Sequence, residues 1–156
     1  LSYQILTSPA GLSREYLSLL KKARTSAGSA YAPYSEFNVG AAVLLKNGKI
    51  VLGNNQENAA YPSGLCAERV AVFSCSALYP GAVIKAIAIN AFSTKFTITA
   101  PIPPCGGCLQ SLLEYEAKQK SPIVLLLQGE KGEIFIIPSV STLLPLRFDA
   151  SKLLPK

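Results

Sequence analysis

Val39 to Leu45 is an unbroken run of apolar residues and one glycine, of strand length, with nothing polar to face water on either side of a pleat. Such a run belongs to a strand buried on both faces, so layers must lie above and below the sheet that contains it. Ile84 to Asn90, Ile123 to Leu127 and Ile134 to Ile137 read as further strands, and Ile50 to Gly53 is the return of a hairpin after Lys46-Asn47-Gly48-Lys49. Asn-Gly is a strong hairpin signal because both residues tolerate positive φ. Helical patterns alternate with these strands. Ser13 can cap a helix whose Tyr16, Leu19, Leu20, Ala23 and Ala27 recur at helical spacing up to Gly28. Cys66 to Ala77 reads as a buried helix, and Cys105 opens another through Leu109, Leu112, Leu113 and Ala117, with Pro104 suited to its start. This order predicts an α/β fold, a three-layer α/β/α sandwich with a five-stranded mixed sheet. A length of 156 residues suits one domain, residues 1–156, with no internal repeat and no linker.

Composition narrows the function. With 49% apolar and 15% charged residues the chain is not a disordered one. No apolar run approaches the roughly 20 residues that span a bilayer. The opening LSYQILTSPA lacks the basic start and apolar stretch of a secretion signal, so a cytoplasmic location with no membrane partner is expected. The net charge of +6 is spread over single or paired residues such as Lys21 and Lys22, with no basic stripe interleaved with aromatics, which argues against a nucleic-acid partner.

The sharper constraint is four cysteines and no histidine. Any transition-metal site must use thiolates and carboxylates, and imidazole-based catalysis is excluded. Cys105 and Cys108, two residues apart at a helix start, can point both sulfurs at one ion, and Cys66 at another helix start can supply a third. Cys75 lies about 13 Å along the helix from Cys66 and cannot share that ion. It reads as a small buried apolar residue. Three thiolates leave an open tetrahedral position, the mark of a catalytic zinc that acidifies a water. Glu68, two residues after Cys66, is placed to shuttle protons, and the pattern is that of zinc deaminases with a glutamate that does not ligate the metal. Helix starts favour anionic sulfur. Arg69 is placed to hydrogen-bond the sulfurs and offset the net charge of three thiolates on one Zn2+. A redox dithiol at Cys105 and Cys108, an ordinary helix-end role for Glu68 and a surface role for Arg69 are the plainer alternatives.

Four blocks in order, Ala32-Pro-Tyr-Ser-Glu-Phe-Asn-Val-Gly-Ala-Ala42, Gly53-Asn-Asn-Gln-Glu-Asn-Ala-Ala-Tyr61, Cys66-Ala-Glu-Arg69 and Pro104-Cys-Gly-Gly-Cys108, resemble the signature blocks of the cytidine deaminase family across most of the chain. The resemblance implies the cytidine-deaminase-like fold, one zinc per chain and hydrolytic loss of the 4-amino group from cytidine and deoxycytidine in pyrimidine salvage. It further implies that Asn55 and Glu57 hold the ribose 3′-hydroxyl and that Phe37 packs on the pyrimidine ring; read without it, Phe37 is a core residue and Asn55 and Glu57 are loop polars. Short members of the family are homotetramers with shared active sites, to which Ala59, Tyr61 and a C-terminal phenylalanine belong. The tail Leu143-Leu-Pro-Leu-Arg-Phe148 makes Phe148 the candidate lid over a neighbouring subunit's substrate. One departure is visible: Leu109 follows Cys108 where the family usually has arginine, so Arg69 carries more of the charge compensation and the metal's water is expected to be less acidic. A deaminase of another cytosine compound, such as blasticidin S, and a silent zinc-binding module are the competing readings.

Overall fold

A computed structural model describes residues 2–153. Among them three α-helices form, α1 (Arg14–Ala27), α2 (Ala67–Leu78) and α3 (Gly106–Gln119). Six strands, β1 (Gln4–Leu6), β2 (Phe37–Leu45), β3 (Ile50–Asn54), β4 (Ile84–Ser93), β5 (Val124–Gln128) and β6 (Ile134–Ile137), make one sheet in the order β1-β6-β5-β4-β2-β3. β4 and β5 run parallel and every other neighbouring pair antiparallel, so the sheet is mixed, as expected. The expected count of five strands is corrected to six. The added strand is a three-residue edge held by pairing with β6, too short to carry an alternating pattern of its own.

The apolar run of β2 divides between two cores. Ala41, Val43 and Leu45 point to the face covered by α2 and α3, where Ala71, Val72, Leu112 and Leu113 meet them. Ala42 and Leu44 point to the opposite face, under Leu19, Leu20 and Ala23 of α1. The three-layer sandwich follows from this two-sided burial. α1 begins where the sequence places it, with Ser13 Oγ accepting the Tyr16 amide at 3.2 Å. In the β2–β3 turn only Gly48 takes positive φ, at 83°, while the Asn47 side chain accepts the Lys49 amide at 3.0 Å. The turn is therefore not the two-residue type in which both Asn and Gly are left-handed.

Two glycines let the helices lie close on the sheet. A Cβ at Gly40 would stand 2.0 Å from the Ala23 carbonyl oxygen of α1, and one at Gly53 would stand 2.4 Å from the Ala71 amide and 2.6 Å from the Ala67 carbonyl of α2. Gly53 thereby sets the seat of the first turn of α2. Gly53→Ala is expected to lower unfolding free energy by roughly 2 kcal/mol or more, as overpacking against backbone does. Urea unfolding checks this, and a change below about 0.5 kcal/mol would show that α2 can shift freely.

β2 starts at the same end of the sheet at which β3 and β4 finish, since Phe37 pairs with Ser93 and Gly40 with Asn54. Short ladders stitch the loops there: Tyr31 donates its amide to the Asn55 carbonyl, Glu57 to that of Tyr31, and Gln56 and Leu65 exchange a pair of bonds at 2.9 Å. Three stretches distant in sequence thus meet beside Cys66. Among the described residues no helix is long and apolar enough to cross a membrane.

Candidate active site

Cys66 and Cys105 occupy the N-cap positions of α2 and α3, both with extended backbone and neither side chain spent on capping. Cys108 follows in the first turn of α3, fully buried. The three sulfurs lie within 4.8 Å of one another, and those of Cys66 and Cys105 are 3.9 Å apart. Two helix N-termini thus converge on one point, where unpaired amides and the helix dipoles favour negative charge. Cys75 is buried in the core and belongs to no such cluster.

Arg69, one turn along α2, donates from Nη2 to Cys66 Sγ at 3.7 Å, and its Nε is buried without a hydrogen-bond partner among the described residues. The Cys66 thiol is pulled down to about 5, first by a hydrogen bond from the Cys108 thiol, with burial opposing and the Arg69 guanidinium adding to the fall. The Cys108 thiol is pushed up for the complementary reason, being the donor to Cys66, buried, and near the Glu68 charge. Binding of a cation by all three sulfurs requires them as thiolates and so releases the protons they hold. Glu68 is 5% exposed. Burial raises its carboxyl above the usual range, and the charge on Cys66 adds to the rise. Leu109 packs into the core with Leu112 and Leu113 and brings no charge to the sulfurs.

Beside Cys66 and Arg69 opens a cavity of about 510 Å³, lined also by Tyr34, Ser35, Asn55 and Glu57. Its size suits a small ligand. Asn55 is held by β2: Oδ1 accepts the Val39 amide at 2.8 Å and Nδ2 donates to the Phe37 carbonyl at 2.9 Å. Glu57 accepts the amides of Tyr34 at 2.9 Å and Ser35 at 3.3 Å, and the Ser35 hydroxyl donates to its other oxygen. Burial pushes the Glu57 carboxyl up, but the Ser35 hydroxyl and the two amides outweigh it and hold the group below the usual carboxylate range. Both side chains retain capacity for a ligand, an amide hydrogen on Asn55 and a lone pair on Glu57.

Residues 13–123 match the family model described as the cytidine and deoxycytidylate deaminase zinc-binding region. The chain belongs to this deaminase family. A cytidine deaminase of Halalkalibacterium halodurans is 40% identical over 132 residues, which are 85% of this chain and 92% of that protein. One of Sporosarcina psychrophila is 36% identical over 86% of this chain and 92% of its own. Among solved structures, the cytidine deaminase from Burkholderia pseudomallei aligns with a TM-score of 0.74 and 36% identity over 88% of this chain and all of that one.

Zinc fits what the deaminase site offers. Tetrahedral zinc–sulfur bonds of about 2.3 Å separate sulfurs by about 3.8 Å, close to the distance between Cys66 and Cys105. The cluster of Cys66, Cys105 and Cys108 therefore suits one zinc per chain, with Arg69 positioned to temper the excess negative charge.

The other expected positions are more scattered. Phe37 is half-buried at the start of β2, next to the cavity without lining it, its ring 6.5 Å from that of Phe96. Tyr61 stands at the cavity rim, 77% exposed, with its ring 6.1 Å from Tyr34, and Ala59 is exposed beside it. Phe148 is 58% exposed and outside the cavity of its own chain, its carbonyl accepting Gln110 Nε2 at 2.8 Å. Sequence reasoning assigns no part to Ser35, although a serine two residues before Phe37 is a local turn signal, and its Oγ accepts the Phe37 amide at 3.1 Å.

Proposed function

We propose that this protein hydrolyses free cytidine and deoxycytidine to uridine and deoxyuridine plus ammonia, a step of pyrimidine salvage, in a single cytoplasmic domain. The observation that carries the reading is a cluster of three sulfurs, with Glu68 buried in the first turn of α2, that opens at Cys66 onto a 510 Å³ cavity bearing Asn55 and Glu57. When bound, zinc supplies the Lewis acidity that makes a water acidic enough to lose a proton near neutral pH. Glu68 takes that proton on a carboxylate oxygen and gives it to ring N3 as oxygen adds to C4; it then takes the proton of the hydroxyl now on C4 and passes it to the amine, so that ammonia leaves as the C4–N bond breaks and the C4 carbonyl forms. The raised affinity of Glu68 for protons suits both transfers. Asn55 and Glu57 hold the 3′-hydroxyl with the hydrogen bonds left after their structural ones, and Phe37 packs on the base. The active unit is a homotetramer with shared sites, where Ala59, Tyr61 and Phe148 meet a neighbouring copy; the exposure of Tyr61 and Phe148 supports this.

The test is loss of the cytosine absorbance band in zinc-loaded protein given cytidine, deoxycytidine, deoxycytidine monophosphate or blasticidin S. Turnover of the two nucleosides, and neither of the others, is expected. Turnover of blasticidin S alone would keep the chemistry and overturn the substrate. Glu57→Gln is expected to raise KM for cytidine roughly tenfold or more, the value of a hydrogen bond to a charged group, with a smaller change in kcat. An unchanged KM would remove Glu57 from substrate binding.

A further inference from the structure

Between Ser35, which touches Glu57, and Phe37, which opens β2, stands Glu36 with φ of 54°. This left-handed backbone is disfavoured for any residue with a Cβ, outside the few whose short polar side chain bonds locally. Glutamate has no such local bond here. Its carboxylate instead reaches the segment that leaves β4: Thr94 Oγ1 donates to Oε2 at 2.7 Å, and Lys95 Nζ lies 3.4 Å from Oε1. The Thr94 amide also donates to the Glu36 carbonyl at 3.4 Å, and the Glu36 amide is tied to the Ala32 carbonyl at 3.0 Å. The segment is anchored in turn, with the Ile98 carbonyl accepting the Glu130 amide at 2.8 Å and Phe96 beside Phe37. Contacts from a distant strand end thus hold Glu36 in a conformation that its own side chain does not favour.

We infer that Thr94, assisted by Lys95, is a positioning residue for the nucleoside cleft: by clamping Glu36 in its left-handed conformation it presets Ser35 against Glu57 and Phe37 at the head of β2. The inference rests on the deaminase reading for what the cleft binds. The clamp itself is independent of that reading. Released from Thr94, Glu36 relaxes toward negative φ, Ser35 and Phe37 turn away from their places, and the ligand must reorder them on binding. This cost falls on KM, because Glu68 and the sulfurs lie on α2 and α3 and stay where they are.

Thr94→Val keeps the shape of the side chain and deletes the hydroxyl. It is expected to raise KM for cytidine about five- to tenfold, with kcat within twofold of the parent. Glu36→Gly adopts positive φ without a clamp, so in a protein already carrying Glu36→Gly the further change Thr94→Val should raise KM less than twofold. A role of Thr94 that does not run through Glu36 would give equal effects in both backgrounds, and that result overturns the inference, as does a KM unchanged by Thr94→Val alone. Hydrogen exchange of the zinc-loaded protein separates the clamp from the substrate. Thr94→Val should speed exchange of the Glu36 and Phe37 amides at least about threefold and leave the α2 amides unchanged. Failure to do so overturns the clamp whatever the substrate proves to be, whereas faster exchange in a protein that turns over no cytosine nucleoside would leave the clamp standing and sink the proposed activity.

Discussion

Glu68→Gln should reduce kcat to roughly a thousandth or less of the parent while zinc stays at one per chain, since positioned proton transfer contributes about 10²- to 10⁴-fold and is used more than once in this reaction. Glutamine keeps the shape that fits a site 5% exposed and removes the carboxylate to which the proposed mechanism assigns the proton. Glu68 lies beside the sulfur cluster and is not one of its three members, so metal content should not follow activity. Steady-state kinetics with zinc quantified on the same sample checks this. A kcat within tenfold of the parent would show that the proton moves by another group, and loss of zinc would make Glu68 a ligand.

The second large effect is on the metal. Cys105→Ser should lower zinc affinity at least a hundredfold, because a structural zinc site of four ligands is worth about 10–16 kcal/mol and one thiolate carries a sizeable share. Cys105 is exposed at the N-cap of α3, so its replacement leaves the core intact and the loss can be read as a loss of coordination. Cys75→Ala is the control: it trims the core and should cost stability, yet it should leave zinc at one per chain because Cys75 belongs to no cluster. Competition with a chromophoric chelator measures both. Equal zinc affinity in parent and Cys105→Ser would remove Cys105 from the site.

Much of this is legible in the residue order because burial and spacing are local statements. The run Val39 to Leu45 demands two covered faces, and the two cores take its residues alternately. Cys105 and Cys108 share a helical turn, so their convergence follows from helix geometry alone; the arrival of Cys66 needs the seat that Gly53 provides for α2. Illegible features are those that depend on pairing across the fold. β1 has three residues and exists through β6. The left-handed Glu36 is held by Thr94, 58 positions away, and nothing in the spelling of either segment announces the other. Asn55 and Glu57 read as loop polars without the family resemblance, and the fold gives each a structural duty toward β2 or the Tyr34–Ser35 turn. Leu109 is a plain core residue by position, and its interest lies in the charge it does not bring to the sulfurs.

The most direct test of zinc-dependent deamination is a zinc titration of metal-free protein in the presence of cytidine, with uridine and ammonia measured together. No turnover is expected before zinc is added, then activity that rises in proportion to bound zinc and stops at one ion per chain, with equal amounts of the two products. Deamination by the metal-free protein, or a filled site with no product, would contradict it.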